Sequence, residues 1–258
     1  MVLRVAVAPC YNVIMKILQL NVWMGKVEGN LERFLQDNSF DIICMQEVMH
    51  SDTCKEHLSR LCVDTSRLVK ASGMPYMFFS PNWRSKLADG NFELGNLILS
   101  RIPFTETTSE FVNGKFIDNM VLTNTVGNNL NIQIAKLENG LTVVNQHGFW
   151  RPSPIGDKGT VKAFKKAASI VKKVKGPLVM CGDLNVIHDS PAMRSFDFLT
   201  DLTYENHIDN TLSGIKYNGK VACDHILVND KISVSDFKIR PEIISDHLAL
   251  ESTFALRP

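Results

Sequence analysis

The sequence lacks the cysteine pattern of a zinc site or a disulfide scaffold. Its six cysteines lie at positions 10, 44, 54, 62, 181 and 223, and no two of them form a Cys-x-x-Cys pair. Cys44 and Cys181 lie inside apolar runs that are typical of buried strands. We therefore interpret the cysteines as reduced core thiols, which favours an intracellular protein, cytoplasmic or nuclear.

Long apolar runs and a strong net charge are also absent. No run approaches the ~20 apolar residues that cross a bilayer, so we expect no membrane span. The formal net charge of +1 excludes a global positive field that would drive tight, sequence-independent binding to nucleic acid. A local basic patch stays open as an alternative.

Length and composition indicate one large globular domain. The chain has 258 residues, of which 45% are hydrophobic and 21% are charged. A chain of this length buries enough surface to fold without disulfides or a structural metal. Residues 1–14 lack the long apolar run and cleavage site of a signal peptide, and we interpret them as an N-terminal extension of unknown role. We predict a single domain over residues 15–258 and a monomer.

Apolar periodicity predicts many strands, several helices and short connections. The predicted strands are 15–22, 41–46, 76–80, 94–100, 105–112, 119–125, 130–137, 141–147, 178–185, 222–229, 233–239 and 249–254. The predicted helices are 31–36, 53–68, 159–174 and 191–198, with loops at 81–93 and 148–158. This pattern predicts an α/β (α+β) fold in which two sheets pack face to face with helices outside. A site is expected at the strand tips.

One strand tip stands out, because the apolar run from Leu178 to Cys181 ends in Gly-Asp-Leu-Asn. Asp183 and Asn185 lie two residues apart, so an extended backbone points both side chains to the same face. A carboxylate beside a carboxamide can orient water and donate to a charged oxygen. Alone, the motif is equally well explained as an ordinary turn.

Other polar residues recur at the ends of apolar strands, and together they are harder to explain as turn residues. Carboxylate and amide oxygens favour Mg²⁺ or Mn²⁺ over zinc. Two histidines and an Asp-Asn pair suit proton transfer and oxyanion stabilisation, as in the attack of water on a phosphorus ester. The other strand-end residues are Asn21, Glu47, His147, Asp224, Asp246 and His247.

Seven motifs follow one another along the chain: Leu-Asn-Val-Trp, Gln-Glu-Val, Gly-Asn-Leu-Ile-Leu-Ser-Arg, Asn-Gln-His, Gly-Asp-Leu-Asn, Asp-His-Ile-Leu-Val and Ser-Asp-His. In this order they resemble the motifs of the endonuclease/exonuclease/phosphatase superfamily, which is DNase I-like. The resemblance covers residues 15–254. It implies a four-layer αββα sandwich with two mostly antiparallel sheets, and hydrolysis of phosphoesters that depends on a divalent metal.

The resemblance also implies a role for each residue. Metal binding is implied for Asn21, Glu47 and Asp246. Catalysis is implied for Asp183 (water activation), Asn185 (oxyanion donor), His247 oriented by Asp224, and His147 (phosphate contact or protonation of the leaving group). Asn96 and Asn145 match polar positions beside these motifs, and we group them with the substrate-binding residues.

Two positions depart from the family pattern. Gln146 stands where Thr is usual, and His225 where Tyr is usual. We interpret His225 as a packing variant, with a third imidazole near the cleft as the alternative.

The substrate is less well defined. Trp150 and Arg151 follow His147 and are predicted to line the cleft and bind substrate by stacking and by pairing with phosphate. The aromatic ring is equally well explained as a loop residue that anchors the backbone. A second Trp–Arg pair lies in the segment 82–86, and nucleic acid is favoured over a lipid headgroup if both pairs line one cleft. The segment 158–175 contains seven lysines and no acidic residue, and a solvated helix face is favoured over contact with phosphates.

Three hypotheses remain. A nucleic-acid phosphodiesterase ranks first, and a hydrolase of lipid headgroups or small phosphorylated metabolites ranks second. A catalytically silent binding protein ranks last.

Overall fold

A computed structural model describes residues 13–27, 29–53, 62–87, 90–121 and 129–257. The helices are α1 (Asn30–Asp37), α2 (Thr65–Ser72), α3 (Lys158–Val171) and α4 (Leu202–Glu205). The strands are β1 (Met15–Asn21), β2 (Ile42–His50), β3 (Tyr76–Leu87), β4 (Gly90–Ser100), β5 (Phe104–Asn113), β6 (Leu130–Leu137), β7 (Thr142–Gln146), β8 (Leu178–Asp183), β9 (Thr200–Asp201), β10 (Asp224–Val228), β11 (Ile232–Ile239) and β12 (Leu250–Leu256).

The strands form two six-stranded sheets. The first has the order β11-β12-β1-β2-β4-β3, and the second has the order β5-β6-β7-β8-β10-β9. Each sheet contains one parallel pair, β1 with β2 and β7 with β8, and its other pairs are antiparallel. The parallel strands are joined through α1 and α3 respectively, so each sheet is built around a βαβ unit. The prediction of two mostly antiparallel sheets is confirmed.

Side-chain alternation along the strands produces the four layers. Ile17 and Ile42 of the first sheet meet Val143 and Cys181 of the second in one buried cluster between the sheets. The opposite face of the first sheet packs against α1 and α2, and that of the second sheet packs against α3. The four-layer αββα sandwich is therefore confirmed.

The predicted loop at 81–93 is wrong, because β3 and β4 continue through it as a long hairpin. The pairing runs on to Leu87 opposite Gly90. Trp83 packs edge-on against Phe92, with ring centroids 5.8 Å apart. This stretch is polar because its strands continue beyond the buried part of the sheet, and its composition therefore resembles that of a loop.

Three further predicted elements are shorter than predicted, not formed where described, or only partly described. The predicted helix 191–198 is a 3₁₀ turn, Met193–Phe196. Residues 119–121 of a predicted strand are not in a strand, and the remainder of it lies outside the described residues. Residues 54–61 of the predicted helix 53–68 lie outside the described residues, and α2 begins only at Thr65.

The longest helix in the described ranges is α3, with 14 residues, and no helix there is long and apolar enough to cross a membrane. All seven lysines between residues 158 and 175 are exposed, whereas Ala163, Phe164 and Ala167 of α3 are buried against the second sheet. This arrangement agrees with a solvated lysine face.

At the end of the sandwich nearest the strand tips, carboxamides replace apolar side chains between the sheets. Gln19 and Gln46 exchange hydrogen bonds of 2.8 and 2.9 Å within the first sheet. Gln46 Nε2 then donates across the interface to Asn145 Oδ1 at 2.7 Å. Asn145 Nδ2 lies 2.9 Å from Gln133 Oε1 and 3.0 Å from each of the Met45 and Leu97 carbonyl oxygens. These bonds satisfy polar groups that have no access to water.

Replacing Asn145 should therefore destabilise the fold. Asn145→Ala removes one of the two acceptors of the Gln46 amide and the donor to Gln133 Oε1 and two carbonyl groups, and should lower the free energy of unfolding by about 3 kcal/mol. Urea titration measures the change. The exposed Asn218 provides a matched control, because Asn218→Ala should change stability by less than about 0.5 kcal/mol. Equal effects of the two variants would contradict a structural role for Asn145.

Candidate active site

A cleft of about 300 Å³ opens at the ends of the central strands of both sheets. The second sheet contributes residues that follow β7 and β8, and the first sheet contributes a residue of β2. The predicted site residues that line the cleft are Glu47, His147, Trp150, Arg151, Asp183, Asn185, Asp246 and His247.

Asp183 occupies the centre of this group. It ends β8 directly opposite Asp224, the first residue of the antiparallel strand β10. His147 Nε2 lies 3.5 Å from Asp183 Oδ2, and His247 Nε2 lies 3.8 Å from the same oxygen. The structure thus places two imidazoles beside one buried carboxylate.

His247 is oriented from behind by Asp224. The Nδ1 atom of His247 lies 2.8 Å from Asp224 Oδ2. Burial would lower the pKa of His247, but Asp224 and Asp183 more than offset it, so that the pKa lies well above 6.5. The pair is therefore an imidazolium held by a carboxylate, which suits proton donation to a phosphate oxygen.

Two residues that the sequence did not single out hold Asp224. Thr211 Oγ1 donates to Asp224 Oδ2 at 2.7 Å, and Gln19 Nε2 donates to Asp224 Oδ1 at 3.2 Å. The alternation of side chains along β1 could have predicted that Gln19 points between the two sheets. The position of Thr211 depends on a long loop and had no signal in the sequence.

The oxygen-rich side of the cleft, where the sequence predicts a metal, is built around Asn21 and Glu47. Asn21 Nδ2 donates to Asp183 Oδ2 at 3.0 Å and to Glu47 Oε1 at 3.2 Å. Glu47 has φ +54° and lies in a β-bulge, since pairing with β4 jumps between Met45 and Val48. Regular alternation would turn Glu47 toward the helix layer, and the bulge instead brings it into the cleft.

Asp246 completes the oxygen-rich side. Burial raises the pKa of Asp246, and the nearby Glu47 carboxylate raises it further. Two carboxylates that repel each other, with the Asn21 amide beside them, form a donor set that suits a hard divalent cation. The residues present therefore fit a metal of this class.

A second group of possible metal ligands lies in the same region. Asp183, Cys223, Asp224 and His247 have ligand atoms within 4.8 Å of one another and are all buried. Burial raises the pKa of the Cys223 thiol to about 12, with Asp183 and Asp224 adding to the effect, so the thiol is protonated. His247 Nδ1 is already held by Asp224. We therefore favour the pair of Glu47 and Asp246, of which Glu47 is partly exposed, as the metal site.

Asn185 lies beside Asp183 through a tight turn rather than along a strand. Its backbone N–H donates to Asp183 Oδ1 at 3.0 Å, and its φ is +59°. Gly148 passes so close to this turn that an added Cβ would lie 2.0 Å from the Leu184 carbonyl oxygen. Only glycine permits this approach, which brings the His147 segment against β8.

Asn96 and Asn145, by contrast, lie beneath the cleft. Both are fully buried, and the Asn145 amide is held in the inter-sheet network. Asn96 Nδ2 donates to the Asn131 carbonyl and side-chain oxygens at 3.2 Å. Direct substrate contact by either side chain conflicts with this burial, and both support the site from below.

Trp150 and Arg151 do line the cleft, and Arg151 also has structural contacts. Arg151 Nε donates to Asp157 Oδ2 at 2.6 Å, and the guanidinium lies 4.2 Å from the Phe149 ring centroid. Asp157 in turn caps the start of α3. The segment 82–86 is not part of the cleft lining, and its Arg84 pairs with Glu93.

His225 does not add a third imidazole to the cleft. Its neighbour Ile226 packs between the sheets, so His225 points to the opposite face of β10. Its Nδ1 lies 2.9 Å from Asp201 Oδ2 and its Nε2 lies 2.9 Å from the Val186 carbonyl oxygen. Both partners only accept hydrogen bonds, so the ring is doubly protonated. The interpretation as a packing residue agrees with this placement.

The sequence did not identify the segment 212–223 as part of the cleft. Leu212, Lys216, Tyr217, Val221 and Cys223 line one part of it. Their place depends on a loop between α4 and β10, for which apolar periodicity carries no signal.

A model of the Endonuclease/Exonuclease/phosphatase family matches residues 18–247. No curated protein matches the chain in sequence. Among solved structures, the mannosyl-6-phosphatase of Bacteroides thetaiotaomicron aligns over 94% of this chain and 100% of its own, with 16% identity and a TM-score of 0.67.

Two further structures are similar. D. rerio TDP2, complexed with a single-strand DNA product, aligns over 94% of this chain and 99% of its own, with 14% identity and a TM-score of 0.63. The human Nocturnin catalytic domain, with a bound sulfate, aligns over 96% of both chains, with 18% identity and a TM-score of 0.59. At these identities the likeness shows a shared fold.

The His225–Asp201 pair should make stability depend on pH. Burial lowers the pKa of His225, but Asp201 outweighs burial and the net pKa is raised. Stability from a raised histidine pKa is fully present below about pH 6.5 and is lost as the pH rises through the folded-state pKa. Asp201→Asn removes the carboxylate, so stability should fall less between pH 6 and pH 8 than in the wild type. Urea titrations at both pH values measure this difference, and an unchanged difference would contradict the pairing.

Proposed function

Because the chain belongs to the endonuclease/exonuclease/phosphatase family, we propose that this phosphoesterase is a divalent-metal-dependent phosphodiesterase that acts on nucleic acid. The observation that carries the proposal is the position of Asp183. It lies between two imidazoles on one side and the Asn21–Glu47 pair on the other, in a single open cleft.

The proposed reaction is attack of water on the phosphorus atom of the scissile ester. Asp183 accepts a proton from the water as its oxygen bonds to phosphorus. Asn185 and the His247 imidazolium donate hydrogen bonds to the non-bridging oxygens, where negative charge increases. The bond from phosphorus to the leaving oxygen breaks, and that oxygen takes a proton from His147.

The metal side has a separate task. Glu47, Asp246 and Asn21 would hold a divalent cation, Mg²⁺ or Mn²⁺, which would withdraw charge from the phosphate oxygens. Asn21 also links the two sides of the site, because it donates to Asp183 and Glu47 at once. Asp183 is thereby kept in register with the metal-binding carboxylates.

Exposed aromatic rings at the cleft support a nucleic-acid substrate. Trp150 and Tyr217 line the cleft and are 44% and 42% exposed. Exposed rings beside a phosphoester site can stack on bases. The similarity to TDP2 in complex with single-strand DNA agrees with this choice.

The second candidate is hydrolysis of a small phosphorylated metabolite or a lipid headgroup. The similarity to a mannosyl-6-phosphatase supports it. A catalytically silent binding protein fits less well, because the imidazoles, carboxylates and amide of the proposed reaction all meet in one cleft. We also propose that the protein is an intracellular monomer. The free, buried thiols of Cys44, Cys181 and Cys223 support the intracellular assignment.

Replacing the proposed base should remove turnover without unfolding the protein. Asp183→Asn keeps the size of the side chain but cannot accept the proton, so kcat on single-stranded DNA or RNA should fall about a thousandfold. The exposed Asp209 lies outside this cleft, and Asp209→Asn should keep wild-type kcat. Thermal melting checks that both variants fold. Near-wild-type turnover in Asp183→Asn would refute the proposed base.

Metal dependence is tested at Glu47. EDTA should abolish turnover and added Mg²⁺ or Mn²⁺ should restore it. Glu47→Gln should weaken Mn²⁺ binding by more than about tenfold in calorimetry, because a charged ligand becomes neutral. The exposed Glu205 is the control, and Glu205→Gln should bind Mn²⁺ like the wild type. Activity that survives EDTA would exclude the metal-dependent reaction.

A further inference from the structure

Lys216 brings a positive charge to the metal side of the cleft. Its Nζ atom lies 3.7 Å from Asp246 Oδ2, and its side chain is 44% exposed. The residue lines the cleft together with Glu47 and His247. The ammonium group can therefore reach a substrate bound at the catalytic residues.

Two aromatic rings restrict where this ammonium group can lie. Lys216 Nζ is 5.4 Å from the centroid of the Trp23 ring and 5.2 Å from that of the Tyr217 ring. Each ring face attracts a cation at such a distance. A lysine held in this way loses less conformational freedom when an anion binds than a freely moving lysine does.

Trp23 is itself fixed to the catalytic residues. Its backbone N–H donates to Asn21 Oδ1 at 3.0 Å. Trp23, Met24 and Gly25 have φ values of +46°, +56° and +66°, and two of these three residues are not glycine. A turn with such strain persists only where the surrounding structure requires it, and here it sets the indole beside the metal side of the cleft.

A second lysine lies at the same indole. Lys26 Nζ is 5.0 Å from the Trp23 ring centroid, and the side chain is exposed. Within the described part of the chain, Lys26 has no carboxylate at ion-pair distance. The two ammonium groups share one indole ring, and Lys216 lines a cleft that also contains several carboxylates. This arrangement favours a substrate with more than one anionic group.

We infer that Lys216 and Lys26, arranged around Trp23, bind a second phosphate group of the substrate, next to the scissile phosphate. This inference rests on the proposed function and deepens it, because it assigns a substrate with at least two phosphates. A divalent cation at Asp246 would repel the Lys216 ammonium, which would then pair with a substrate anion. Ammonium groups are effective point-charge partners for phosphate.

The test compares a dinucleoside monophosphate with the same compound carrying a 5′- or 3′-terminal phosphate, in Mg²⁺. The added phosphate should raise kcat/KM of the wild type about tenfold. Lys216→Ala should remove about tenfold of that preference, Lys26→Ala should reduce it, and Lys216→Arg should retain most of it. Lys220, in the same loop but paired with Asp209, provides the control, and Lys220→Ala should keep the wild-type preference.

A second comparison, of kcat/KM for inositol bisphosphate with kcat/KM for inositol monophosphate, identifies the class of substrate that supplies the second phosphate. A preference only among the inositol compounds supports the two-phosphate site and assigns it to a small polyphosphate. A preference among the dinucleotides assigns it to a polynucleotide. A preference that survives intact in Lys216→Ala, or an equal loss on both members of a pair, overturns the inference.

Binding separates this inference from the proposed function. In Mg²⁺, with Asp183→Asn as the background that suppresses hydrolysis, fluorescence anisotropy of a labelled single-stranded oligonucleotide follows affinity against salt concentration. The slope of log K against log salt should become shallower by about 0.7 in Lys216→Ala, as expected for one lost phosphate contact. An unchanged slope overturns the two-phosphate site for polynucleotides. Absence of hydrolysis of every ester by the wild type refutes only the proposed function.

Discussion

A chain of buried hydrogen bonds across the interface between the two sheets is the constraint on which the site depends. It joins Gln19 and Gln46 of the first sheet to Asn145 and Asp224 of the second. Apolar packing alone is non-directional and tolerates small shifts of one sheet over the other. Buried amides lose several hydrogen bonds if the sheets slide, so they define one relative position. The proposed catalytic and metal-binding groups come from both sheets, and they need this fixed relative position.

Local backbone strain also positions residues of the cleft. Glu47 and Asn185 both have positive φ values, +54° and +59°, although neither is glycine. In regular strand geometry Glu47 would face the helix layer, so its left-handed conformation is what brings the carboxylate into the cleft. The stability of the sandwich offsets the cost of these conformations, which is about 1–3 kcal/mol for each residue.

The sequence predicted the layers and most of the cleft, because both follow from alternation and from polar residues at strand ends. It predicted the cleft positions of Asp183, Asn185 and His247 for this reason. It could not separate cleft residues from those one layer below, and Asn145 is an example, since a buried amide and a substrate-binding amide have the same sequence signal. Thr211 and Lys216 were missed because a loop of irregular backbone positions them, and no periodic pattern describes such a loop.

The two βαβ units have a consequence for how the protein acquires its chemistry during folding. The β1–α1–β2 unit supplies Asn21 and Glu47, whereas the β7–α3–β8 unit carries His147 directly after β7 and ends in Asp183. Each unit is one continuous stretch of chain, 15–50 or 142–183, and its two strands pair directly with each other. Neither unit contains both the proposed water activator and the proposed metal-binding carboxylate. Under the proposed mechanism, hydrolysis therefore requires that the two units dock.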